Sequence, residues 1–209
     1  MKNGLFISIE GLDGSGKSTQ IQGIKTYFED KNIEPVVFRE PGGTQIGEKI
    51  RHILLDAKNT EMDRVSEMLL FAASRSQNVA ENILPALEEG KVVICDRYID
   101  SSVAYQGYGR ELDVDEVLNV NLAAVRHKLP DITFFLDKNP EASLKRRKET
   151  TTADRLENEK MEFHMRVYKG YMELCKKYHD RIIRLDAEDS IEAINKKIVM
   201  ALDSVLERK

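Results

Sequence analysis

Eight consecutive residues, Gly11-Leu12-Asp13-Gly14-Ser15-Gly16-Lys17-Ser18, fit the pattern G-x-x-x-x-G-K-[ST], and Thr19 follows directly. The residue types suit one task, the binding of a chain of phosphates. Glycines let successive backbone N–H groups turn inward around phosphate oxygens, and a helix starting at the end of the loop adds the positive end of its dipole. Lys17 would reach the β- and γ-phosphates, and the Ser18 hydroxyl would take a place on Mg²⁺. From average residue frequencies the pattern arises by chance on the order of once in a hundred chains of this length. Asp96 closes the apolar run Val92-Val93-Ile94-Cys95, where a carboxylate at the end of a buried strand can hold Mg²⁺ through its waters. Arg97 follows it, and Arg39 and Glu40 stand in the same position after an earlier strand. Two strand-end arginines at one sheet edge make a second anion pocket facing the first. That pocket points to a phosphorylated acceptor rather than water.

These residues need a scaffold that brings strand ends together. Short β-branched runs occur at Leu5–Ile9, Pro35–Phe38, Val92–Cys95, Ile132–Leu136 and Ile182–Leu185, separated by segments of helical period. The alternation predicts an α/β fold, a five-stranded parallel sheet flanked by helices. Asn139 before Pro140 reads as a helix start, and Asp113 with Glu116, and Asp189 with Glu192, have capping-box spacing. Met62–Glu88 reads as one long helix with Pro85 bending its last turn. No repeat, low-complexity tract or Pro/Gly/Ser-rich linker divides residues 1–209, so one domain is expected. The charged, Thr-rich stretch Lys145–Asn158 is the expected mobile segment.

Composition narrows the function classes. A net charge of −4 over 209 residues argues against broad binding to nucleic acid or to an anionic membrane, so phosphate chemistry must sit in local basic pockets. Cys95 and Cys175 form no C-x-x-C pair and read as buried free thiols. No stretch approaches the roughly 20 apolar residues of a membrane span, and the expected compartment is the cytoplasm.

With these residues in hand, the chain closely resembles the bacterial thymidylate kinases, P-loop enzymes of the nucleoside monophosphate kinase group. The matching stretches are Glu10–Thr19, Arg39–Gly43, Glu67–Arg75, Asp96–Gly107, Asp154-Arg155 and Phe163–Tyr171. The resemblance implies a P-loop NTPase fold with a short mobile lid at about 144–158, and transfer of the γ-phosphate of Mg·ATP to dTMP. Gly11 to Thr19 would bind ATP. Phe71 would stack on thymine, Arg75 would donate to the base O4, and Ser102 and Gln106 would face its polar edge. Tyr105 would lie under the sugar and crowd a 2′-hydroxyl. Asp13 would bind the 3′-hydroxyl side of the acceptor, and Arg39, Arg51 and Arg97 its 5′-phosphate, with Glu40 in the same set. Ser18 and Asp96 would hold Mg²⁺.

The resemblance also implies a lid that delivers a cation to the transferring phosphoryl group. Gly14 stands where one branch of the family carries a P-loop arginine, so the charge must come from the lid. Arg146 and Arg155 match family cation positions, with Arg147 and Lys148 beside them, while Thr150 occupies a position where relatives often place arginine. Lys17, Arg97, Asp13, Arg146 and Arg155 are therefore the expected catalytic set, and a homodimer packed through helices that include Met62–Glu88 is the expected assembly. Two rival readings are a kinase for another nucleoside monophosphate and a nucleotide-driven switch or ATPase. A guanine-specific switch needs N-K-x-D, and Asn195-Lys196-Lys197 is followed by Ile198.

Overall fold

The computed structural model describes residues 4–148 and 154–208, without the side chains of Arg147 and Lys148. The chain runs β1 (Leu5–Glu10), α1 (Lys17–Glu29), β2 (Val36–Arg39), α2 (Gln45–Leu55), α3 (Arg64–Asn78), a π-helical stretch (Val79–Ile83) and α4 (Leu84–Glu88). It continues through β3 (Val92–Asp96), α5 (Ile99–Ser102), a second π-helical stretch (Val103–Gly109), α6 (Val114–Ala124), β4 (Ile132–Asp137) and α7 (Pro140–Lys148). The last elements are α8 (Met161–Lys177), β5 (Ile182–Asp186) and α9 (Ile191–Leu206).

All five strands lie parallel in one sheet of order β2-β3-β1-β4-β5. Alternation along each strand sorts side chains to the two faces. Leu5, Ile7 and Ile9 of β1, with Val92 and Ile94 of β3, pack under Ile24 and Phe28 of α1 and Ile198 and Leu202 of α9. Phe6, Val93 and Cys95 face the other way, against Val79, Ile83, Tyr98 and Val125. Both faces are covered, as a parallel sheet requires. The register sets Ile9 opposite Asp96 and Asp96 opposite Arg39, which aligns three strand ends at one edge.

Local details refine the expected elements. The long helix begins at Arg64, where Asp63 accepts from the Val65 and Ser66 amides, and it does not simply bend at Pro85. Proline has no N–H and crowds the carbonyl one turn back. The ladder answers with a π-helical widening just before it, in which Leu84 N–H reaches Val79 O. Asn139 caps α7 through the Glu141 amide, and Asp113 caps α6 through that of Glu116. At α9 the cap is Ser190, which accepts from Ala193, and not Asp189, which pairs with Lys197. Both thiols are free; Cys95 is buried as expected, while Cys175 is only half-buried.

Candidate active site

The loop after β1 folds around its own glycines. Gly16, at φ +104°, starts α1 in the left-handed region that favours glycine. At Gly11 a Cβ would lie 2.8 Å from Ser15 Oγ and 2.9 Å from Leu136 O, so no side chain fits. Lys17 is buried, and its Nζ donates to the carbonyls of Gly11 and Leu12 at 3.1 Å each, 3.6 Å from Asp13 Oδ1. Burial, and after it repulsion from Arg97, pulls the Lys17 pKa down. Ser18 and Thr19 open the first turn of α1 and stay exposed.

Across the loop, β3 ends in Asp96, and Arg97 follows at φ +71°, a left-handed conformation unusual for a side chain of its size. The turn is held from β1: buried Glu10 accepts from the Tyr98 amide at 2.7 Å and the Ser101 hydroxyl at 2.5 Å. Burial, reinforced by Asp100, pushes the Glu10 pKa up to about 7. So aimed, Arg97 donates to Asp13 at 2.9 Å and lies over the Tyr105 ring at 5.2 Å. Asp96 Oδ1 is buried without a hydrogen-bond partner among the described residues, and Asp96 and Ser18 both line the cleft. A buried carboxylate oxygen and a hydroxyl are hard donors that fit Mg²⁺, which takes few protein ligands when phosphates supply the rest.

The cleft between these groups encloses about 410 Å³ and is lined by residues following β1, β2 and β3. Its wall includes Phe71, Tyr105 and Gln106, together with Arg39, Glu40, Arg51 and Arg146. Arg51 donates to Pro41 O at 2.8 Å, and exposed Arg39 pairs with both oxygens of Glu48 at 3.0–3.1 Å. Arg75 and Ser102, expected at the base edge, sit behind this wall. Arg75 is 2% exposed and binds Glu40 at 2.6 Å, Ser102 Oγ at 2.7 Å, Tyr98 O at 2.9 Å and Asn121. These contacts use four of its five N–H protons, leaving one on Nη2. Ser101, not Ser102, reaches the cleft lining.

A phosphate loop, a cluster of arginines and aromatic rings in one cleft at the C-terminal edge of a parallel sheet fit a nucleotide phosphotransferase. Comparison with known proteins decides which. The sequence model of the family described as Thymidylate kinase matches residues 9–198. The thymidylate kinase of Exiguobacterium sp. is 48% identical over 99% of this chain and 96% of its own length. That of Caldanaerobacter subterraneus is 47% identical over 97% of each. The crystal structure of thymidylate kinase from Ehrlichia chaffeensis superposes with a TM-score of 0.77 at 33% identity, covering 96% of this chain and 99% of that one. The chain belongs to the thymidylate kinase family. The activity that goes with membership is phosphorylation of dTMP.

Within this thymidylate kinase frame the two expected lid cations part company. Arg146 is exposed at the cleft, its Nη1 3.9 Å from where a Gly16 Cβ would stand. Arg155 is not among the cleft residues. It is buried 2.7 Å from Glu67 Oε2, and its Nε donates to Leu54 O at 2.8 Å. Thr150 lies outside the described residues, as do the side chains of Arg147 and Lys148. The sequence reading missed Glu67, yet it stands four residues before Phe71 and eight before Arg75, on the same helical face. Arg155→Ala removes a partner from a buried carboxylate and is expected to lower unfolding stability by about 3 kcal/mol. Arg146→Ala, at the surface, should stay within about 0.5 kcal/mol. Urea unfolding of both variants measures the difference, and equal stabilities would contradict the buried-anchor role of Arg155.

Proposed function

We propose that this chain transfers the γ-phosphoryl group of Mg·ATP to the 5′-phosphate of dTMP in the cleft between the β1 loop and the strand ends of β2 and β3. The observation that carries the reading is a single cleft lined by Lys17, by Arg39, Arg51 and Arg97, and by the aromatic rings of Phe71 and Tyr105. The acceptor phosphate is already an anionic nucleophile, so no general base is required. The work left to the protein is positioning and charge neutralisation.

In this reading Gly11 to Thr19 cradle the ATP phosphates, and Lys17 leaves its two carbonyl partners for the β- and γ-oxygens. Ser18 and Asp96 would hold Mg²⁺, which would neutralise phosphate charge. Thymine stacks on Phe71, with Gln106 at its edge and the remaining Arg75 proton directed to O4. Ser102 acts through Arg75, which it helps to hold. Tyr105 lies under the sugar, and Asp13 serves the 3′-hydroxyl side. Arg146 supplies the lid's charge to the transferring group, while Arg155 anchors the end of the lid segment to Glu67 and Leu54.

The compartment proposed for the reaction is the cytoplasm. No helix among the described residues is long and apolar enough to cross a membrane. A homodimer through α2 and α3 is supported by exposed Ile46, Ile53, Val65 and Leu69; sedimentation at the mass of a single chain would contradict it.

A coupled assay across nucleoside monophosphates tests the assignment: dTMP is expected to give the highest kcat/KM, and a higher value for dCMP, dGMP or AMP would overturn it. Phosphate release from ATP without any acceptor would favour the ATPase reading. Arg146→Ala should lower kcat about tenfold or more, a barrier change of about 1.4 kcal/mol, with a smaller effect on the KM for dTMP. Unchanged kcat would move the transition-state charge to another cation.

A further inference from the structure

Gln106 is 1% exposed and forms part of the cleft wall, and its Nε2 donates to Glu67 Oε1 at 3.0 Å. An amide side chain can present either end to a ligand, and its orientation is set by whatever holds the other end. Here the holder is a fully buried carboxylate. Glu67 accepts from Arg110 Nη2 at 2.9 Å and Nε at 3.1 Å, and pairs with Arg155 Nη1 at 2.7 Å. Burial by itself would push its pKa up, but the bonds and charge of Arg110, the Gln106 amide and the charge of Arg155 outweigh burial and hold it below the ordinary carboxylate value. An ionised carboxylate has acceptors and no donor, so only the NH₂ end of Gln106 can face it. The carbonyl end is what remains for the cleft.

We infer that Glu67 is a specificity-determining positioning residue: by binding the Gln106 amide nitrogen, it fixes the Gln106 carbonyl as the acceptor offered to the base. The inference rests on the acceptor site proposed above and deepens it. Thymine carries an N–H donor at N3 and meets that carbonyl; cytosine carries a bare acceptor at N3 and leaves two lone pairs opposed. A pocket built to satisfy a hydrogen bond rejects the analogue that lacks the matching group far more strongly than an apolar pocket rejects a change of size. Glu67 touches no substrate, and its effect passes entirely through Gln106.

The test is dissociation constants for dTMP and dCMP, measured by calorimetry on the full chain, for the wild type, Glu67→Gln, Gln106→Met and the double variant, with thermal unfolding to establish that each is folded. A glutamine at 67 can donate as well as accept, so the Gln106 amide becomes free to turn. Glu67→Gln is expected to shrink the dCMP-to-dTMP ratio about tenfold, and to have no further effect on that ratio in the Gln106→Met background. An unchanged ratio, or an equal shrinkage with and without Gln106, overturns the inference, because a merely structural Glu67 would act independently of the amide. Should Glu67→Gln not fold, the unsubstituted chain bound to dTMP carries the test. Nuclear Overhauser contacts from the Gln106 amide protons to Glu67 Hγ support the inference, and contacts to the thymine base instead refute it. A wild type that favours neither nucleotide overturns the acceptor assignment and this inference together; a discriminating wild type with an insensitive Glu67→Gln variant overturns only this inference.

Discussion

The ion pair between Arg75 and Glu40, 2.6 Å long with both side chains 2% exposed, is the constraint on which the acceptor half of the molecule depends. Removing two charges from water costs several kcal/mol per ion, and their attraction offsets this only when the remaining donors and acceptors are satisfied. The fold supplies them from several directions. Ser102 and the Tyr98 carbonyl come from the chain after β3, Asn121 from α6, and Asn78 from the end of α3, where its amide donates to Glu40 at 3.2 Å. Burial pushes the Glu40 pKa up against the pull of Arg75 and Asn78. One guanidinium thus fixes β2, α3, α5 and α6 relative to each other, and the base pocket is what lies in front of it.

The same logic governs the phosphate ends of the cleft. A chain of net charge −4 must gather several cations at one sheet edge. Each is held by a neighbouring oxygen: Arg97 and Lys17 by Asp13, Arg39 by Glu48, Arg51 by the Pro41 carbonyl. Arg39, Arg51 and Arg97 are therefore held before any phosphate arrives, while Lys17 has still to leave the Gly11 and Leu12 carbonyls. Phosphate oxygens would replace acceptors already in place, so reorganisation is small and the groups act where charge develops. The left-handed backbone at Arg97, held through Glu10, is the local strain that this aim requires.

Much of this was legible along the chain. All five strands were evident as apolar runs, and each extends one residue further than the run, to Glu10, Arg39, Asp96, Asp137 and Asp186. A charged residue ends the hydrophobic pattern but not the hydrogen-bonded ladder, and those charged strand ends include the site itself. The P-loop was legible because its chemistry is local, with glycines, lysine and serine needed within eight residues. The contacts of Arg75, Arg155 and Glu67 were not, because their partners lie 23 to 101 residues away in sequence: Tyr98, Ser102, Glu40 and Asn121 for Arg75, Gln106 for Glu67, Leu54 for Arg155. A buried arginine and a solvent-facing one look alike in a pattern of types. The α9 cap slipped from Asp189 to Ser190 because both can cap, and only backbone geometry chooses.

The most direct measurement of whether buried charge pre-forms the acceptor pocket is a crystal structure of the chain with dTMP bound. The Arg75–Glu40 contact should remain intact, with thymine on Phe71, the Gln106 carbonyl at its N3 and the 5′-phosphate among Arg39, Arg51 and Arg97. Thymine bound elsewhere, or Arg75 drawn away from Glu40 to reach the base, would contradict it.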